Sequence, residues 1–81
     1  MTLPPLREWN KRKTGNRLQY ELTLPNGELY QLVPVEAQGI AYAVHHKIPG
    51  SNWRKVSDGF INANTAWIDA CEYAQLRRGA Y

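Results

Sequence analysis

Residues 17–24 alternate cleanly. Leu18, Tyr20, Leu22 and Leu24 point one way, and Arg17, Gln19, Glu21 and Thr23 point the other. A period of two predicts a strand buried on one face. Pro25-Asn26-Gly27 follows. Asn-Gly supplies two residues that tolerate positive φ, which a tight hairpin turn requires. A second strand is predicted over 28–36, through Leu29, Tyr30, Leu32, Val33 and Val35. Pro34 has no N–H to give a ladder, so this end is expected at an edge or a bulge. Ala37-Gln38-Gly39 is read as the next turn, and a third strand as 40–48. There Ile40, Tyr42, Val44, His46 and Ile48 share one face, and Ala41, Ala43, His45 and Lys47 share the other.

Pro49-Gly50-Ser51-Asn52 is turn chemistry. A short fourth strand is predicted over 53–56, ended by Ser57-Asp58-Gly59. Helical spacing begins near Asn62 or Asn64, either of which can cap. Ala63, Ala66, Trp67, Ala70, Cys71 and Ala74 form one stripe of small residues around a tryptophan. Such a stripe suits close packing on a sheet, with Trp67 as its main anchor. Arg77 and Arg78 complement the dipole in the last turn, and Gly79 ends the helix. The fold class predicted is α+β: a small antiparallel meander of three to four strands, covered on one face by a C-terminal helix.

Residues 1–16 lack this patterning. Pro4-Pro5 blocks regular structure, and residues 10–16 are polar and turn-rich. They are read as a basic N-terminal arm ahead of a single α+β domain over 17–81. Leu3, Leu6 and Trp9 repeat every third position, which admits one short helical turn docked on the body. With 81 residues there is room for one core only.

Charge sharpens the division. Residues 1–17 carry Arg7, Lys11, Arg12, Lys13 and Arg17 against Glu8, a net +4, whereas residues 18–76 sum to −3. Basic character therefore sits at the two ends of the chain. Cys71 is the single cysteine, so no internal disulfide is available. The first residues lack a secretory apolar segment, and no run approaches a membrane span. The expectation is a cytoplasmic protein.

Candidate chemistry is sparse. His45 and His46 are adjacent on a predicted strand, so their rings point to opposite faces and do not chelate one ion. Cys71 falls on the buried stripe, where a thiol is inert. Asp69 and Glu72 lie three apart on the helix, and no phosphate-loop or Gly-x-Gly-x-x-Gly motif occurs. No nucleophile, base and orienting group assemble, so the chain is read as a non-enzyme without cofactor or metal.

The run from Trp53-Arg54-Lys55-Val56-Ser57-Asp58-Gly59 into Asn64-Thr65-Ala66-Trp67 resembles small phage and prophage accessory proteins, in which a last strand runs into a Thr- and Ala-opened helix. In plan, residues 17–78 resemble the arm-type DNA-binding domains of tyrosine recombinases, with three strands in a groove and a helix behind. The first two strands depart from that pattern: they carry Glu21, Glu28 and Glu36, and Arg17 is their only basic residue. In type, the chain resembles short single-domain phage proteins that block host functions by stoichiometric binding, anti-CRISPR proteins among them.

Three Trp, five Tyr and one Phe exceed what so small a core absorbs. The expected function is stoichiometric binding to a protein partner, with inhibition as one consequence. The contact surface expected is the helix face of Ile68, Asp69, Glu72, Tyr73 and Leu76. The alternative is a nucleic-acid-binding accessory protein, with Arg7, Lys11, Arg12, Lys13 and Arg17 on phosphates and Lys47, Arg54 and Lys55 extending the track. A free sheet edge also offers homodimer pairing.

Overall fold

The computed structural model describes residues 3–37 and 40–79, with side chains over 3–35 and 42–76. Gln38 and Gly39 of the expected second turn, and the Arg77 and Arg78 side chains, lie outside these. Five strands run in chain order: β1 (Asn10–Thr14), β2 (Arg17–Thr23), β3 (Leu29–Ala37), β4 (Ile40–Lys47) and β5 (Arg54–Phe60). The helix α1 (Ala63–Gly79) follows. All neighbours pair antiparallel in the order β1-β2-β3-β4-β5, so the sheet is a pure meander and the domain is α+β.

The expected arm is a correction. Lys11 pairs with Tyr20, Arg12 with Gln19 and Lys13 with Leu18, which makes residues 10–14 the first strand of the sheet. Every residue of β1 is exposed, so no apolar alternation marks it. Its order comes from β2, which offers a free ladder, and from Trp9 immediately before it. Trp9 is 3% exposed, and Leu3 joins the same core. The short turn expected from their spacing is a 3-10 turn over Leu6–Glu8.

The hairpin forms where expected, but its loop has three residues: Pro25 and Asn26 are the centre of the turn, and Gly27 follows with positive φ. Gly27 takes φ 92°, its N–H donates to the Leu24 carbonyl, and the Leu24 N–H donates to Glu28. A Cβ on Gly27 would also meet Pro49 Cγ at 3.0 Å, so the turn and the β4–β5 loop press together. The fourth predicted strand is longer than expected. Ser57-Asp58-Gly59 continues β5 through register shifts, with Gly59 at φ 89°. A glycine that reads as a strand terminator is here a bulge residue.

The helix lies across β3, β4 and β5. Asn62 caps it: its Oδ1 accepts from both the N–H and the hydroxyl of Thr65. Ala63, Ala66, Ala70 and Ala74 are buried against Tyr30, Leu32, Tyr42 and Val44, as the small-residue stripe predicts. Trp67 is only partly buried. Its indole N–H donates to the Pro4 carbonyl at 2.9 Å, and the Trp9 indole donates to the same oxygen at 3.0 Å. Both lone pairs of one carbonyl thus tie the N-terminal segment to the helix. The tryptophan buried deepest is Trp9, so the anchoring role expected of Trp67 is shared.

Candidate nucleic-acid interface

The β1–β2 hairpin turns at Gly15 and Asn16, with Gly15 at φ 63°. Residues 11–18 are exposed, and the Tyr42 hydroxyl of β4 donates to the Leu18 carbonyl at 2.7 Å. Alternation divides the cations between the faces. Lys11 and Lys13 lie opposite Tyr20 and Leu18, on the helix side. Arg12 lies opposite Gln19, and Arg17 opposite Thr14, on the helix-free side. Four positive side chains are therefore held on two faces of one narrow ribbon.

Their neighbours fix some of them. Lys11 Nζ donates to the Arg7 carbonyl at 3.2 Å and lies 5.9 Å from the Tyr20 ring centroid. Arg12 Nη2 lies 3.5 Å from Glu21 Oε1. Glu21 Oε2 in turn accepts from Gln19 at 3.1 Å and Gln31 at 2.7 Å, which spreads the carboxylate's charge over three partners. Lys13 and Arg17 have no ion-pair partner among the described residues.

The remaining basic candidates are elsewhere. Lys47 ends β4, while Arg54 and Lys55 open β5 at the opposite edge of the sheet. Strands sit about 4.8 Å apart, so four spacings part the two edges by roughly 19 Å. Lys55 is also paired with Asp58 at 2.7 Å. The continuous basic track expected from sequence is thus split: the hairpin set is brought together, Arg7 sits in the Leu6–Glu8 turn ahead of it, and Lys47, Arg54 and Lys55 are not part of it.

The expected helix-face surface is also reduced. Ile68 and Leu76 are 46% and 74% exposed, and Glu72 is exposed beside them. Asp69 instead accepts from the Ser57 hydroxyl. Tyr73 turns inward, with its hydroxyl 3.1 Å from His46 Nδ1 and its ring edge-on to Tyr30 and His46. The spacing carried this signal. Tyr73 lies seven residues after Ala66, nearly two full turns, and so shares the alanine stripe.

His45 and His46 do face opposite ways. His46 is 3% exposed, and its Nε2 lies 2.7 Å from Glu28 Oε1. Sequence reasoning missed this Glu28–His46–Tyr73 chain, because its members come from three separate elements. His45 lies between Gln31 and Lys55 on the helix-free face. Burial, and secondarily the Lys55 charge, hold the His45 pKa below its ordinary value of 6.5. The unfolded chain therefore takes up this proton first on acidification. The contribution to stability is full above pH 6.5 and is lost as pH falls from there towards the folded value. Lys55→Gln should raise the His45 pKa in an NMR titration; an unchanged midpoint would show that Lys55 does not act on it.

Cys71 is half-buried, and burial pushes its thiol up while the Leu3 backbone opposes. Among the described residues, no three His, Cys, Asp or Glu side chains gather as a metal site. No helix there is long and apolar enough to cross a membrane. Comparison with protein-family models, curated proteins and solved structures finds no match to this chain.

Proposed function

We propose that this chain is a non-enzymatic nucleic-acid-binding accessory protein that acts by stoichiometric binding through its β1–β2 hairpin. One observation carries the reading: Lys11, Arg12, Lys13 and Arg17 are exposed on both faces of the β1–β2 hairpin at the edge of the sheet. The major groove of a duplex admits such a ribbon, and cations on its two faces would meet the phosphate walls on either side. Holding the cations on paired strands also removes much of the ordering cost that a free arm would incur on binding. The phage-type setting suggested by the sequence resemblance belongs to this proposal.

The test is fluorescence anisotropy of a labelled duplex. Four phosphate contacts predict an affinity loss of roughly 100-fold between about 50 mM and 200 mM salt. Binding that ignores salt, or none at either salt, would overturn the reading.

A second reading has its own support. Ile68, Glu72 and Leu76 form an outward stripe at spacing four, and Ile61 before the helix is 79% exposed. These apolar positions suit a protein partner. Ile68→Ser with Leu76→Ser would weaken such a partner and leave duplex affinity unchanged.

A further inference from the structure

At the corner of the sheet away from the hairpin tip, the β4–β5 loop and α1 enclose a cleft of about 560 Å³. That volume lies within the range of small-molecule sites. Its wall is firm. His46 is 3% exposed and engaged through both ring nitrogens, and the Tyr73 ring and hydroxyl are set against it. Its rim is open and differently equipped. Trp53 leaves 41% of its surface to solvent, Asn52 presents an amide, and Arg54 is exposed with no carboxylate partner among the described residues. The β2–β3 turn packs against this loop, where a Cβ on Gly27 would come within 3.0 Å of Pro49 Cγ.

We infer that this cleft is a nucleotide site, taking one base with its phosphate. Each part of the lining answers one part of that ligand. The Trp53 indole, part of a residue 41% exposed, can stack a planar heterocycle whatever its base identity. A carboxamide offers a donor and an acceptor together, matching the edge of a base. The Arg54 guanidinium, lining the same cleft, can take two phosphate oxygens at once. An aliphatic anion would use Arg54 and leave Trp53 bare; an uncharged ring would do the reverse. Only a ligand that is both flat and anionic uses both. The base belongs either to a free mononucleotide or to an unpaired residue of a strand.

The inference goes beyond duplex binding by the hairpin, because the two sites stand at opposite ends and opposite edges of the sheet. Two probes separate the sources: adenosine monophosphate, and a short single-stranded oligonucleotide whose bases are all unpaired. Backbone and indole N–H resonances are followed during each titration. Saturable shifts are expected at Trp53, Asn52, Arg54 and Tyr73. Arg54→Gln and Trp53→Leu should each weaken binding roughly tenfold or more. Both positions are exposed, so these variants keep the core, and an unchanged melting temperature checks it. Lys13→Gln with Arg17→Gln should leave mononucleotide affinity unchanged while reducing duplex affinity. A response to the mononucleotide assigns a free ligand; a response to the oligonucleotide alone assigns a strand. No saturable shift with either probe, or shifts that Arg54→Gln does not alter, would overturn the nucleotide site and leave the hairpin reading untouched.

Discussion

Trp9→Ala is expected to destabilise the domain by about 3–5 kcal/mol, the range for truncating a large buried aromatic. Trp9 is 3% exposed, and its indole N–H donates to Pro4. The same oxygen holds Trp67 on the helix, so the loss loosens a junction and not one contact alone. Total stability for a chain of this length is about 4–12 kcal/mol, so the loss takes roughly a quarter of it or more. The consequence reaches the binding surface, because β1 begins at the next residue. Urea denaturation measures the effect as a lower midpoint at an unchanged slope. A variant within about 1 kcal/mol of the parent would place Trp9 outside the folding unit and restore a free arm.

His46→Ala is the second large effect, about 3 kcal/mol. The ring stacks 4.5 Å from Tyr30, centroid to centroid, and meets Tyr73 edge-on at 5.2 Å. Its Nε2 contact reaches Glu28, whose other carboxylate oxygen accepts from Asn26 at 2.6 Å and whose N–H donates back to Asn26. The network thus links the β2–β3 turn through β4 to the helix. Removing the ring opens a cavity and deletes two hydrogen bonds together. The adjacent residue is an internal control. His45 lies on the opposite face, outside this network, so His45→Ala should cost less than about 1 kcal/mol. Equal losses for the two variants would contradict the placement of His46 at a junction.

The contrast between these two residues shows what the sequence can and cannot convey. Alternation separated His45 from His46, yet it carried no sign that Glu28 and Tyr73 converge on one of them. Such partners are distant in sequence and are brought together only by the register of the sheet. The same holds for β1. Asn10, Lys11, Arg12, Lys13 and Thr14 have no apolar member, so no periodicity distinguishes an edge strand from a solvated arm. Where burial is one-sided, the pattern sufficed, as in the alanine stripe of α1; in β2 alternation marked the strand, although Leu18 is 38% exposed and Gln19 and Glu21 are half-buried like Tyr20 and Leu22. The Asn-Gly turn was legible because positive φ selects the residue directly. Gly59 shows the limit of that logic, since a bulge demands the same conformation as a turn. The cations of the candidate interface were visible as residues. Their division over two ribbon faces was not, because it depends on the pairing of β1 with β2.

The charged surface of β1 also bears on self-association. An edge strand bearing Lys11, Arg12 and Lys13 repels a second copy of itself, which disfavours β1-to-β1 pairing.

The most direct test of the account compares the parent with a variant carrying Lys11→Gln, Arg12→Gln, Lys13→Gln and Arg17→Gln, titrated into labelled duplex DNA at low salt. All four side chains are exposed, so the variant should fold with a melting temperature close to the parent's. Duplex affinity should fall by about two orders of magnitude or more, roughly the electrostatic contribution of four phosphate contacts. A folded variant that binds as tightly as the parent would contradict it.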